Sequence, residues 1–133
     1  MTADELGIFR SRGTLGTRLT VQANDVIGGF GWSAFDGSTV LIGANMNSVV
    51  NSVSSNNLSA DLIIRTRNGA ISTYGEAMRI KADKGVTTQG YIQFGSYTTT
   101  QRDALTAANG MVIYNSSDNK FQGYENGAWA NLI

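Results

Sequence analysis

Cysteine, histidine and proline are all absent from the 133 residues. Without cysteine there is no disulfide scaffold, no thiol nucleophile and no thiolate zinc site; without histidine the commonest general base and metal ligand are missing. Most familiar catalytic constellations cannot be built, and no cofactor is expected. Charge is also scarce, with ten basic and ten acidic residues giving a net charge of zero. That balance offers nothing to nucleic acid or to an anionic membrane surface, so neither is an expected partner. No apolar run approaches the roughly 18 residues of a membrane span, and the amino terminus lacks the charged-then-apolar pattern of a signal peptide.

Leu, Ile, Val and Phe together number 31, enough for a chain that folds. Sixteen glycines fall at irregular intervals, and with proline missing a collagen helix is excluded. Short β-like segments are expected around Arg18 to Gln22, Val40 to Ile42, Leu62 to Arg67 and Ala77 to Lys81. Gly28-Gly29, Asp36-Gly37, Asn68-Gly69 and Lys84-Gly85 separate them as turns. In the third segment Leu62 and Ile64 share one face, and Ile63, Arg65 and Arg67 the other. Asn45 to Ser59, rich in Asn and Ser, reads as a long loop with one weak strand or short helix near Val49. Tyr91 to Phe94 reads as a connecting strand. Thr98 to Asn109 is the one expected helix, with Thr100 and Asp103 as its capping pair and Asn109-Gly110 as its stop.

The carboxyl-terminal stretch is the most informative. Two strand-forming runs flank Asn126-Gly127, the strongest short-range signal for a two-residue hairpin with a type I′ turn. The register then pairs Tyr124 with Trp129 at a non-hydrogen-bonded position, where aromatic side chains approach most closely. Phe121, Gly123, Ala130 and Leu132 fall on one face, and Gln122, Tyr124, Trp129 and Asn131 on the other. The expected organisation is all-β, with a β domain over 1–90 and a tip module of strand, short helix and β-meander over 91–133.

Phe9-Arg-Ser-Arg-Gly-Thr14, Asn24-Asp25 before Ile27-Gly28, Phe35-Asp36-Gly37, Leu62-Ile-Ile-Arg-Thr66 and Glu76-Ala-Met-Arg-Ile80 follow one another in this order. The order and spacing resemble those of bacteriophage tail fibre and tail spike proteins. Arg102-Asp-Ala-Leu105, Gly110-Met-Val-Ile-Tyr-Asn115 and Tyr124-Glu-Asn-Gly-Ala-Trp129 are similar to a tip module of phage fibres and other virion appendages. The chain departs from the family pattern at Lys84 to Gly90, which leads directly into Tyr91 where the family often continues toward a self-cleaving chaperone domain. The resemblance implies a homotrimer of intertwined, glycine-rich β-strands with a β-hairpin tip. It implies a place on the virion beside other virion proteins, in a tail or capsid fibre that contacts a glycan or protein of the host surface.

The face carrying Gln122, Tyr124, Trp129 and Asn131 offers the flat rings and planar amides that hold sugars; alternatively, its aromatic pair serves the tip's own stability. Trp32 and Phe35 form a second aromatic cluster, either a binding loop or buried beneath a bend. Asn47 and Asn51, in the Asn- and Ser-rich excursion, belong either to a recognition loop or to a solvated connector. Arg10, Arg12, Arg65 and Arg67 are expected to pair, in a homotrimer, with acids among Asp25, Asp36, Asp61 and Glu76, acids that double as the candidates for glycan hydrolysis. No two of those acids sit on one rigid element, and Asp25 and Asp36 read more simply as turn formers. Asp83 and Asp118 could approach Ca²⁺, but no twelve-residue loop pattern supports it. Arg10, Arg12, Asp36, Leu62, Ile64, Arg65, Met78 and Ile80 are the residues expected to hold the trimer or its fold. The function expected is non-enzymatic attachment to a host surface; the alternative is a structural fibre, decoration or trimerisation module that binds no receptor.

Overall fold

The computed structural model describes residues 7–14, 16–69 and 74–133. Strands dominate, with one short helix. Two units separate in packing, Met1–Gly90 and Tyr91–Ile133.

The first unit opens on a small hairpin of β1 (Arg12–Thr14) and β2 (Thr17–Leu19). A five-stranded antiparallel sheet follows in sequence order: β3 (Val26–Phe35), β4 (Val40–Ser54), β5 (Asn57–Arg67), β6 (Tyr74–Ile80) and β7 (Val86–Thr88). The excursion expected over Asn45 to Ser59 is instead most of β4, a two-residue turn and the start of β5. Of its Asn and Ser residues, Asn51, Ser52 and Ser54 are exposed strand positions, Asn45, Asn47 and Ser48 are half-buried in β4, and Asn56 takes the left-handed conformation (φ 58°) that turns the chain. Gly28-Gly29 is likewise no turn but lies inside β3. A side-chain carbon on Gly28 would run into Ile8, and one on Gly29 into the Met46 carbonyl and the Asn47 amide, so these glycines permit close approach. Asp36-Gly37 does turn the chain: Asp36 Oδ1 accepts from the backbone N–H of Ser38 and Thr39, both at 2.8 Å, and Gly37 has φ 100°.

Register and alternation sort the sheet into two unlike faces. One carries the rows Trp32–Ala44–Thr66–Gly75, Phe30–Met46–Ile64–Met78–Thr88 and Gly28–Ser48–Leu62–Ile80–Val86. No charge occurs in them. The other carries Gly29–Asn47–Ile63–Arg79–Thr87 and Gly31–Asn45–Arg65–Glu76. There the polar side chains lie over Ile63, which is 1% exposed.

In the second unit β8 (Ser96–Tyr97), β9 (Val112–Asn115), β10 (Lys120–Glu125) and β11 (Ala128–Asn131) form a sheet in the order β11-β10-β9-β8. The terminal hairpin has the expected register, Tyr124 opposite Trp129 and Gln122 opposite Asn131. Asn126 and Gly127 both have positive φ, 50° and 82°, as a type I′ turn requires. Helix α1 is shorter than expected, Thr99–Asp103, and its cap lies two residues earlier. Thr98 is the N-cap and Gln101 closes the box, with the Thr98 N–H donating to Gln101 Oε1 at 2.9 Å. Tyr91 to Phe94 forms no strand.

Among the described residues only Val49, Val50, Ile63 and Ile113 are buried hydrophobics.

Candidate functional site

The tip hairpin brings Tyr124 and Trp129 together as expected, ring centroids 5.2 Å apart and planes at 69°, an edge-to-face pair. Both rings are half-buried, while Asn131 is exposed. Gln122 does not belong to an open amide platform. It is 4% exposed: its Oε1 accepts from Arg102 Nη1 at 2.8 Å and Asn115 Nδ2 at 3.1 Å, and its Nε2 donates to Asn131 Oδ1 at 2.9 Å. A buried amide needs all its partners, so this one is already committed. Asn115, fully buried, anchors the cluster. Its Nδ2 shares two hydrogens among Thr99 Oγ1, Asp118 Oδ2 and Gln122 Oε1, all at 3.0–3.1 Å, and its Oδ1 accepts from the Ser117 and Asp118 N–H groups. This polar core joins the helix to the sheet. Sequence reasoning missed it, although Asn at the end of an apolar strand before Ser-Ser-Asp was the available signal.

On the opposite face of the tip sheet Phe121 meets Tyr114 and Phe94 edge to face, at 5.3 and 6.0 Å. With Tyr91, Ile92 and Ser96 they line an uncharged groove of about 390 Å³.

In the first unit Trp32 and Phe35 form no cluster. Three residues apart in one strand, they fall on opposite faces, and each is more than half exposed rather than buried. Asn47 is in strand β4, its Oδ1 accepting from Arg65 Nη1 at 3.0 Å, so it is not a loop side chain. Asn51 is an exposed residue at a register shift of the same strand. Leu62, Ile64, Met78 and Ile80 do come together, in adjacent rows of the uncharged face.

The acids are engaged within the chain. Asp25 takes both Arg12 Nε and Nη2 at 2.7 Å and the Gln22 N–H at 3.0 Å, which hold its carboxyl well below the usual carboxylate range. Arg79, which the sequence did not single out, serves both Asp61 (2.7 Å) and Glu76 (2.6 and 3.0 Å), lowering both carboxyls. Arg10 donates instead to the Val26 carbonyl at 2.7 Å, and Arg67 to the Ile42 carbonyl while lying over the Tyr74 ring. Asp36 is lowered by the Thr39 and Ser38 N–H groups of its own turn. Asp25 and Glu76 are each held in the ionised form by a bidentate arginine, which makes them poor general acids. Asp83 accepts from Gly85 N–H and Lys81 Nζ, and Asp118 from Asn115 and Gln122. Among the described residues no group of three or more acids could hold a metal ion, and no helix is long and apolar enough to cross a membrane. Neither the protein-family models nor the curated proteins compared with this chain include a match to it.

Proposed function

We propose that this chain is a non-enzymatic subunit of a homotrimeric phage fibre or fibre tip, carried on the virion and contacting the host cell surface. The reading joins the resemblance of its motifs to one observation: in the first unit Phe30, Trp32 and Val86 are each more than half exposed on a sheet face whose central rows carry no charge. Uncharged apolar patches of this kind mark interaction surfaces. Arginine-held carboxylates and the absence of histidine and cysteine agree with a role in binding rather than catalysis. Host contact falls to exposed groups, Trp32, Asn51 and Asn131, with the half-buried Tyr124 and Trp129 beside the last.

The second reading is a structural fibre or decoration module without a receptor. It draws support from Gln122, whose amide is spent inside the tip. Sedimentation followed by adsorption to bacterial cells and a glycan array separates the two. A trimer that adsorbs supports attachment, a trimer that binds no cell or glycan leaves the structural module, and a stable monomer at micromolar concentration refutes both.

A further inference from the structure

Overall neutrality hides a local imbalance of charge in the first unit. The segment before β1, the stretch from Arg18 to Val21 and the turn between β4 and β5 converge on a cavity of about 500 Å³. Asn56, in the left-handed conformation, sets that turn and lines the cavity beside Asn57. Phe9, Leu19 and Leu58, each more than half exposed, supply an apolar wall. Arg10 and Arg18 line the same space, and no acid does. Arg12, Arg79 and Arg102 each pair with a carboxylate. Arg10 and Arg18 have no ion pair among the described residues: Arg10 donates one N–H to the Val26 carbonyl at 2.7 Å, and Arg18 stands 5.2 Å over the Phe9 ring. Asp25 feels the charge of Arg10, but its oxygens are already taken by Arg12 and the Gln22 N–H.

We propose that this cavity binds an acidic sugar, one whose ring carries a carboxylate or a phosphate. The inference rests on the attachment reading above and adds a ligand class and a place for it. A guanidinium presents its N–H groups as a planar fork that matches either anion. Arg10 spends one of those donors and Arg18 none among the described residues, so both keep donors for a ligand. The aromatic and aliphatic wall beside them suits the C–H face of a sugar ring, which a bare inorganic ion lacks. Asn57 and Ser54 add the amide and hydroxyl that sugar hydroxyls need. Nucleic acid calls for a track of basic groups along its backbone, whereas two cations on one cavity serve a single anionic group.

Calorimetric titration of the full chain with trigalacturonate, its methyl ester, galactose 6-phosphate and inorganic phosphate tests the site. Trigalacturonate or the sugar phosphate should bind, and which of them does tells carboxylate from phosphate. The ester, with the same rings and no charge, should not bind. Arg18→Gln removes a head held only by a ring contact among the described residues, and should weaken binding by about tenfold, the worth of one hydrogen bond to a charged group. Lys120→Gln, in the other unit, removes the same net charge and should leave binding unchanged. Should Arg18→Gln lose its β-sheet circular dichroism, the comparison of acid with ester still decides. Binding of the ester or of inorganic phosphate as tight as that of the charged sugars, no binding of any probe, or an affinity indifferent to Arg18→Gln overturns the site; adsorption to cells would then leave the attachment reading standing. A protein that binds the acidic sugar and adsorbs to no cell overturns attachment and keeps the site.

Discussion

Asn115→Asp tests the polar core of the tip with almost no change of shape. The exchange replaces the Nδ2 donor, now 3.0 Å from Asp118 Oδ2 and 3.1 Å from Gln122 Oε1, by a carboxylate oxygen. Neither partner atom can donate in return. A hydrogen bond to a charged group contributes about 1.5–3 kcal/mol, and two carboxylates near 4 Å repel by up to about 4 kcal/mol at an effective dielectric of 20. Relaxation and the remaining Thr99 hydroxyl reduce the sum, giving an expected loss of about 3–5 kcal/mol at pH 7. The sign of the pH dependence follows from the environment. Burial and Asp118 raise the introduced carboxyl above its unfolded value of about 3.9. The penalty is complete above that raised value and disappears as pH falls toward the unfolded one, because the protonated group again donates to Asp118. Urea denaturation followed by Trp129 emission, in a Trp32→Phe background, reads both effects. A loss below about 1 kcal/mol at pH 7, or one of equal size at pH 4.5, would refute the reasoning.

Ile63→Ala should cost about 2–4 kcal/mol, because Ile63 is 1% exposed beneath the polar side chains that seal its face; chemical denaturation followed by Trp32 emission checks it. The carboxyls of Asp25, Asp61 and Glu76, lowered by Arg12 and Arg79, contribute stability that is present above the ordinary carboxylate range and lost as pH falls through their lower folded values. Thermal melts should therefore be flat from about pH 8 to 5 and drop below about pH 4. Arg79→Met should lower the neutral plateau and flatten the acid limb.

The terminal hairpin was legible because its signal is local: Asn-Gly fixes the turn, the turn fixes the register, and the register puts Tyr124 against Trp129. The all-β character with one short helix was legible for a similar reason, in β-branched residues cut by glycine. Asn45 to Ser59 was misread because Asn and Ser residues spread over both faces of long strands, half-buried at Asn45, Asn47 and Ser48 and exposed at Asn51, Ser52 and Ser54, imitate the composition of a loop. Gly28-Gly29 was misread because a glycine that lets Ile8 and β4 approach looks the same in sequence as one that turns the chain. The helix cap slipped by two residues because Thr98, Thr99 and Thr100 are equivalent cap candidates until Gln101 closes the box. Arg79 escaped because Asp61 reaches it only across β5 and β6, and because Glu76, three residues before it in the same strand, falls on its face only through the register shift of β6 against β5.

The sequential order of β3 to β7 has a consequence for how the protein is made. Each hairpin closes a short loop, so the sheet pays little entropy to form and can be completed soon after its last strand leaves the ribosome. In the assembly we propose, meeting other copies adds a second-order step whose rate depends on concentration. The species that waits for it is a folded sheet exposing Phe30, Trp32 and Val86 on one side, and the hazard it carries is sticking to other apolar surfaces rather than misfolding.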